Sequence, residues 1–215
     1  MKHEWKKAEK QFYLPKNKPE LITVPSFKFF TINGKGNPND NSFAEYISVL
    51  YSLSYAVKMS QKKGIVVEDY FDYAVYPLEG IWTLNNDAEK TPDGKFNKCD
   101  LIYKLMIRQP KFVTAGFAMK MVEMVKKKKP NSLLSEVNFE EITDGICIQM
   151  LHIGSYDSEP ETFRLMHDFA EKENYIRTTQ THREIYLSDA RKTPVEKLKT
   201  VLRFPVEKIR VFDYL

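Results

Sequence analysis

Two stretches of this sequence share a pattern that limits the folds the chain can adopt. Residues 29–34 and residues 149–154 both read as the end of a β-strand that closes in a glycine, at Gly34 and, 120 positions later, at Gly154. At the same offset Phe43 corresponds to Phe163, each early in a predicted helix, and each half then returns to a strand that contains tyrosine. Identity between the two stretches is low, so the pattern suggests a duplication without establishing it.

We therefore predict an α+β fold of duplicated strand-helix-strand-strand modules. The two modules would form a pseudo-two-fold antiparallel sheet and leave a central groove for a ligand. Residues 1–21 are expected to be an N-terminal lead-in. Residues 22–215 are expected to be a single domain of two related halves, about 22–110 and 111–215.

Hydrophobic periodicity and turn residues predict the individual elements. Apolar residues at helical spacing predict helices from residues 40–42 to about 62, at 114–128 and at about 159–173. Runs rich in β-formers predict strands at 22–32, 70–76, 101–107, 134–141, 145–153, 183–188 and 200–206. Polar residues at 85–98 predict a hairpin tip, and Thr143-Asp144 predicts a turn.

Composition excludes several classes of function. A net charge of +4 is mild, and the basic run Lys126–Lys129 closes a predicted helix, where cations complement the helix dipole, so we expect no nucleic-acid partner. No apolar run approaches the ~18 residues that span a bilayer, so we expect no membrane partner. The two cysteines, Cys99 and Cys147, and a polar N-terminus without a secretion signal favour a reducing compartment and a cytoplasmic location.

The segment His182–Asp189 holds the strongest candidate for chemistry. Its alternation of polar and apolar residues predicts a short strand, on which Glu184 and Tyr186 share one face while Ile185 and Leu187 share the other. A carboxylate beside a phenol on a sheltered face can bind a cationic ligand or move a proton. The alternative is that Glu184 lies in water or pairs with an arginine.

The sequence predicts no metal and no cofactor. His152, His167 and His182 do not have the spacing of metal ligands, and no His-Glu-x-x-His motif is present. Gly34-x-Gly36 is too short for a phosphate loop. Cys147 has no histidine partner that the sequence can place, so a thiol nucleophile is not expected.

Four blocks, in order, resemble the GyrI-like small-molecule-binding family. They are residues 76–82 (YPLEGIW), residues 149–156 (QMLHIGSY), the segment around Glu184 and residues 198–206 (LKTVLRFPV). The resemblance covers about residues 22–206 and implies the duplicated fold, with Glu184 at the floor of the groove and aromatic walls. Arg183 and Ala190 depart from the family pattern, which often has histidine and proline there. Arg183 would point away from Glu184, so we expect little effect on the pocket.

The resemblance also implies a function. The residues before 22 are too few for a helix-turn-helix domain, so we expect a stand-alone member, whose partner is a planar hydrophobic small molecule. One stand-alone branch hydrolyses the cyclopropane of DNA-alkylating natural products of the duocarmycin and yatakemycin type. The alternatives are a protein that sequesters drugs without converting them and a topoisomerase-modulating protein. We expect a monomer or a homodimer.

The hydrolytic hypothesis assigns roles to particular side chains. Glu184 would deprotonate the attacking water, and the hydroxyl of Tyr186 or Tyr156 would donate to the ligand carbonyl. The proposed ligand contacts are Tyr76, Glu79, Trp82, Phe117 and His152. Each has an ordinary structural alternative: Tyr76 and Trp82 as core residues, Glu79 as a binder of turn amides and His152 as a satisfied buried histidine.

Overall fold

The computed structural model of the protein describes residues 2–85, 88 and 96–209. Its helices are α1 (Trp5–Ala8), α2 (Lys10–Tyr13), α3 (Asn41–Lys58), α4 (Ala115–Lys128) and α5 (Glu159–Lys172). Its strands are β1 (Glu20–Lys35), β2 (Leu78–Leu84), β3 (Leu101–Gln109), β4 (Asn138–Ile153), β5 (Tyr175–Arg177), β6 (His182–Tyr186) and β7 (Lys199–Lys208). The α+β class with antiparallel strand pairing agrees with the prediction.

The chain divides into two compact units. Unit 1 comprises Met1–Ala8 and Ser26–Ile142, and unit 2 comprises Glu9–Pro25 and Thr143–Leu215. Strands β1 and β4 each contribute residues to both units. Unit 1 has the element order β1, α3, β2, β3, α4, and unit 2 has the order β4, α5, β5, β6, β7.

Unit 1 is built on β3, which pairs antiparallel with β1 on one side and with β2 on the other. Phe30 lies opposite Ile107 in this sheet, and both side chains are fully buried. Helix α3 buries Leu50, Leu53 and Val57, at the spacing of one helical face. Helix α4 begins at the cap residue Thr114, whose hydroxyl accepts a hydrogen bond from the backbone N–H of Phe117 at 3.2 Å.

Unit 2 is built on β7, which pairs antiparallel with β4, β5 and β6. Helix α5 begins with acidic residues in its first turn and a proline at its start, both of which favour a helix N-terminus. One apolar core joins α5 to β4 and β7, and its buried members are Ile148, Met150, Met166, Ala170, Leu202, Phe204 and Val206. Leu202 of this core pairs with Glu184 of β6, so the two side chains lie on the same face of the sheet.

Two predicted elements are wrong. The aromatic run 70–76 does not form a strand, since its backbone pairs with another segment at one isolated bridge, between His3 and Tyr73. Its rings pack around Phe112 instead. The turn expected at Thr143-Asp144 is absent, because β4 continues through it, with Gly145 at a φ of 71°. An Asp-Gly pair often forms a turn, but here Gly145 adopts a left-handed backbone conformation inside one continuous strand.

The N-terminal residues are ordered in each unit. Trp5 donates its indole N–H to the carbonyl of Val75 at 3.0 Å and is buried within unit 1. Tyr13 is buried in unit 2, where the carbonyl of Lys16 accepts a hydrogen bond from the N–H of Leu151 at 2.9 Å. Most of the predicted hairpin tip at 85–98 lies outside the described residues. Among the helices that the structure describes, none combines the length and the apolar character needed to cross a bilayer.

Candidate functional site

Strand β6 in unit 2 carries a buried carboxylate held by its neighbours. Glu184 is 8% exposed, and its Oε1 lies 3.0 Å from Nε2 of His182, two residues earlier on the same face of the strand. The edge of the His182 ring packs against Phe163 of α5, with ring centroids 4.8 Å apart. The ring contact and the hydrogen bond together fix the imidazole beside the carboxylate.

Two phenols adjoin this carboxylate. The hydroxyl of Tyr186 donates a hydrogen bond to Glu184, and the Tyr186 ring meets that of Tyr156 edge to face, with centroids 6.1 Å apart. Burial, together with the nearby Glu184, raises the pKa of Tyr186 well above 10 and that of Tyr156 to about 12. Both phenols therefore stay protonated near neutral pH, so each hydroxyl has a proton to donate.

A second carboxyl, which the sequence reading missed, lies at the same place. Glu159, the first residue of α5, is 7% exposed, and its Oε1 is buried without a hydrogen-bond partner among the described residues. Burial, followed by the charges of Glu184 and Asp157, raises the pKa of Glu159 well above its usual value. One ligating atom from each of Glu159, His182 and Glu184 lies within 4.8 Å of the other two.

On the opposite face of β6, Arg183 belongs to a network of charged and polar groups that joins three strands. Arg183 points away from Glu184, as expected, and its guanidinium lies 2.6 Å from Oδ1 of Asp144. Arg203, the neighbour of Arg183 on β7, lies 3.6 Å from Asp144 and donates to Oε1 of Gln149. This network is buried, so it anchors β4, β6 and β7 to one another.

His152 has a defined hydrogen-bond environment in unit 2. Its Nδ1 lies 2.8 Å from the hydroxyl of Thr162, and its Nε2 lies 2.9 Å from the carbonyl of Ser155. Both ring nitrogens thus have partners, with Nε2 as the donor to Ser155. A small pocket of about 220 Å³ opens beside His152, and neither Glu184 nor Tyr186 lines it. That volume is below the ~300 Å³ at which pockets for drug-sized ligands begin.

Unit 1 holds a compact group of aromatic rings that includes Trp82. The rings of Trp82 and Tyr103 lie 5.0 Å apart, and Phe43 of α3 contacts both. Two glycines make room for them: a Cβ on Gly34 would lie 2.2 Å from the Tyr103 ring, and one on Gly80 would lie 2.6 Å from the Trp82 indole nitrogen. Trp82 is 5% exposed, so in this structure it packs against other rings of unit 1.

The other proposed ligand contacts of unit 1 have separate environments. Tyr76 is buried and lies under the guanidinium of Arg108, 4.6 Å from ring centroid to Cζ. Glu79 on β2 is 2% exposed. Phe117 is half-buried in the first turn of α4. The structure thus places Glu184, Tyr186, Tyr156 and His152 in unit 2, and Tyr76, Glu79, Trp82 and Phe117 in unit 1.

Comparison with known proteins identifies the family. Residues 17–207 match the GyrI-like small molecule binding domain. Because this match spans most of the chain, the protein belongs to the GyrI-like family. No curated protein matched the chain.

Solved structures agree with this assignment. A protein from Listeria innocua, described as a hydrolase, is 37% identical, covers 96% of this chain over 100% of its own and superposes with a TM-score of 0.85. A hydrolase encoded by lin2189 from Listeria innocua is 36% identical with the same coverage and a TM-score of 0.87. The C-terminal domain of EcmrR covers 89% of this chain over 98% of its own at 15% identity and a TM-score of 0.51, so it shares the fold.

Proposed function

We propose that this protein binds planar hydrophobic small molecules and hydrolyses the cyclopropane of DNA-alkylating natural products of the duocarmycin and yatakemycin type. The main support for this proposal is the carboxylate of Glu184, which is 8% exposed and hydrogen-bonded to His182 and Tyr186. Whole-length similarity at 36–37% identity to two proteins described as hydrolases supports an enzymatic role. The result would be detoxification of the alkylating agent.

The proposed reaction uses Glu184 as a general base. Its carboxylate accepts a proton from water, whose oxygen forms a bond to the least substituted cyclopropane carbon. The strained carbon–carbon bond breaks, and its electron pair moves through the conjugated ring to the carbonyl oxygen, which becomes a phenolate and then takes up a proton. The atoms of one water molecule are added and no redox partner is needed. A positioned general base accelerates such a step by about 10²–10⁴-fold.

The two phenols have different roles in this proposal. Tyr186 already donates to Glu184, so it orients the base. Tyr156 is 38% exposed, and its hydroxyl is the donor that we assign to the ligand carbonyl, where negative charge develops. His152, Tyr76, Glu79, Trp82 and Phe117 remain proposed ligand contacts.

A second function, sequestration without turnover, is favoured by one observation. Glu184 lies beside Glu159 and beside the phenols of Tyr186 and Tyr156. This arrangement suits a cationic or strongly polarised ligand, to which Glu184 would be the counter-charge. The family description, small molecule binding, fits both functions. A topoisomerase-modulating role has no such support in the site.

We also propose that the two halves of the chain arose by duplication of one module. Each unit contains a strand, a helix and further strands in the same order, which supports duplication of one module as the origin of the two halves. We further propose a cytoplasmic protein that acts as a monomer or homodimer.

Mass spectrometry of the product tests the proposed reaction. The protein is incubated with a cyclopropane-containing alkylator in ¹⁸O-labelled water, and the ligand is recovered. A product that has gained one labelled water, formed faster than in buffer alone, supports hydrolysis. Tight binding with the ligand recovered unchanged supports sequestration and contradicts the enzymatic proposal.

A further inference from the structure

The geometry points to a binding site in unit 2 for one divalent transition-metal ion, held by Glu159, His182 and Glu184. One ligating atom from each side chain lies within 4.8 Å of the other two. This inference departs from the sequence prediction of no metal. It does not require the proposed hydrolysis, although an ion bound to Glu184 would occupy the carboxylate to which we assign the role of base, so the two proposals are tested separately.

The spacing needs little adjustment. Bonds of ~2.0–2.1 Å to a tetrahedral zinc ion place neighbouring ligand atoms ~3.4 Å apart. Nε2 of His182 and Oε1 of Glu184 are already 3.0 Å apart. Glu159 must therefore close a gap of at most about 1.5 Å, which rotation of its side chain supplies.

A buried carboxyl oxygen of Glu159 faces this cluster without a hydrogen bond from the described residues. Oε1 of Glu159 is buried and has no hydrogen-bond partner among the described residues, although the residue is only 7% exposed. A buried carboxylate oxygen without a hydrogen bond lowers the stability of the folded state. A proton shared with Glu184 is the competing way to satisfy this oxygen, whereas a divalent ion satisfies it together with Glu184 and His182, and the metal-uptake test separates the two.

The donor set selects the class of ion. Two carboxylates and a neutral imidazole carry a charge of about −2, which a divalent ion balances. Mixed oxygen and nitrogen donors suit Zn²⁺, Mn²⁺ or Co²⁺, while Ca²⁺ and Mg²⁺ prefer oxygen alone. Three protein ligands leave a coordination position for water or another small ligand.

Neighbouring side chains already orient the ligands. Tyr186 donates to Glu184, and Phe163 packs against the His182 ring. Such supporting contacts typically change metal affinity by about 10–100-fold when removed. Sequence spacing alone could not show the site, since Glu159 lies on α5 and the other two ligands lie on β6.

The test uses the full chain, dialysed against a chelator, and Co²⁺ or Zn²⁺ alone as the probe. We expect uptake of one ion per chain by calorimetry, and visible absorption bands of Co²⁺ bound to nitrogen and oxygen. Glu159→Gln and His182→Gln should each weaken binding at least about tenfold. Glu161→Gln, which removes an exposed carboxylate from the same turn of α5, is the matched control and should bind as the wild type does.

Metal binding by the wild type and the variants can either support or overturn the site. Loss of binding in Glu159→Gln and His182→Gln, with binding retained in Glu161→Gln, supports the site. If one variant fails to fold, as judged by circular dichroism, the other still decides. No uptake by the wild type, or uptake that both ligand variants retain, overturns the proposal, and neither result bears on whether a cyclopropane is hydrolysed.

Discussion

Nε2 of His182 lies 3.0 Å from Oε1 of Glu184, two residues further along β6. The register of the sheet, in which Glu184 pairs with Leu202 and Ile185 with Val201 of β7, decides which face carries this pair. A slip of one residue would exchange the faces of Glu184 and of Ile185, whose side chain is fully buried on the other side of the sheet. The apolar residues of unit 2 therefore determine where its candidate catalytic carboxylate points.

Removing the charge of Asp144 should destabilise the protein strongly. Asp144 neutralises Arg183, which is 5% exposed, and Arg203, which is 3% exposed. Asp144→Asn leaves these buried guanidinium groups without their carboxylate, so we expect the free energy of unfolding, measured in urea, to fall by about 3–5 kcal/mol.

Asp168→Asn provides the control for that prediction. Asp168 lies 3.8 Å from Arg164 in an ion pair whose side chains are 63% and 70% exposed. Exposed pairs contribute little, so this variant should change the free energy of unfolding by less than about 0.5 kcal/mol. Equal effects of the two substitutions would contradict the structural role assigned to Asp144.

Gly34→Ala should disturb the aromatic group of unit 1. The added methyl group would lie 2.2 Å from the Tyr103 ring, so the ring must move, and we expect a loss of about 1–3 kcal/mol in unfolding free energy. Trp82 lies against Tyr103, so its fluorescence should shift as well. Gly116→Ala, where a Cβ meets nothing within 4 Å at the start of α4, should leave the fluorescence nearly unchanged and should not lower the unfolding free energy.

The two cysteines should differ sharply in reactivity. Burial, together with Asp144, raises the pKa of the Cys147 thiol to about 12, whereas Cys99 is exposed. Iodoacetamide at mildly alkaline pH should therefore modify Cys99 in the folded protein and Cys147 only after unfolding, as read by peptide mass spectrometry. Rapid modification of Cys147 in the folded protein would show that its strand is not buried as described.

The stability contributed by Glu140 should depend on pH. Burial alone would raise its pKa, but hydrogen bonds from Lys104 and Thr31 outweigh burial and lower the pKa below its usual 4.5. A carboxylate with a depressed pKa stabilises the fold above the unfolded-state value, and that stabilisation is lost as the pH falls through the folded-state value.

Comparison with Glu140→Gln checks this dependence. The wild type should exceed the variant by less than about 1 kcal/mol in unfolding free energy at neutral pH, because the ion pair is partly exposed. The difference should shrink when the pH falls below about 4. A difference that grows on acidification would reverse the sign that we assign.

The sequence predicted correctly several features that depend on one helix or one strand alone. Periodicity located α4 and α5 within a residue or two, and alternation placed Glu184 and Tyr186 on one face of β6. It was wrong for residues 70–76, because aromatic residues favour strands and yet can be buried by ring packing alone.

Features that join distant segments could not be read from the sequence. Glu159 was missed because an acidic residue in the first turn of a helix is ordinary, and its proximity to Glu184 depends on how α5 packs on the sheet of unit 2. The Asp144–Arg183 pair, 39 residues apart, was hidden for the same reason. The sequence marked Asp144 only as part of the turn predicted at Thr143-Asp144, which β4 replaces with a continuous strand.

Turnover by Glu184→Gln decides whether Glu184 is the base. The amide keeps the size of the side chain but cannot accept the proton of the attacking water, so hydrolysis of a cyclopropane-containing alkylator should fall by about 10²–10⁴-fold. Glu171→Gln, an exposed change on α5, should leave the rate unaltered. Turnover by Glu184→Gln at the wild-type rate would contradict the assignment of Glu184 as the base.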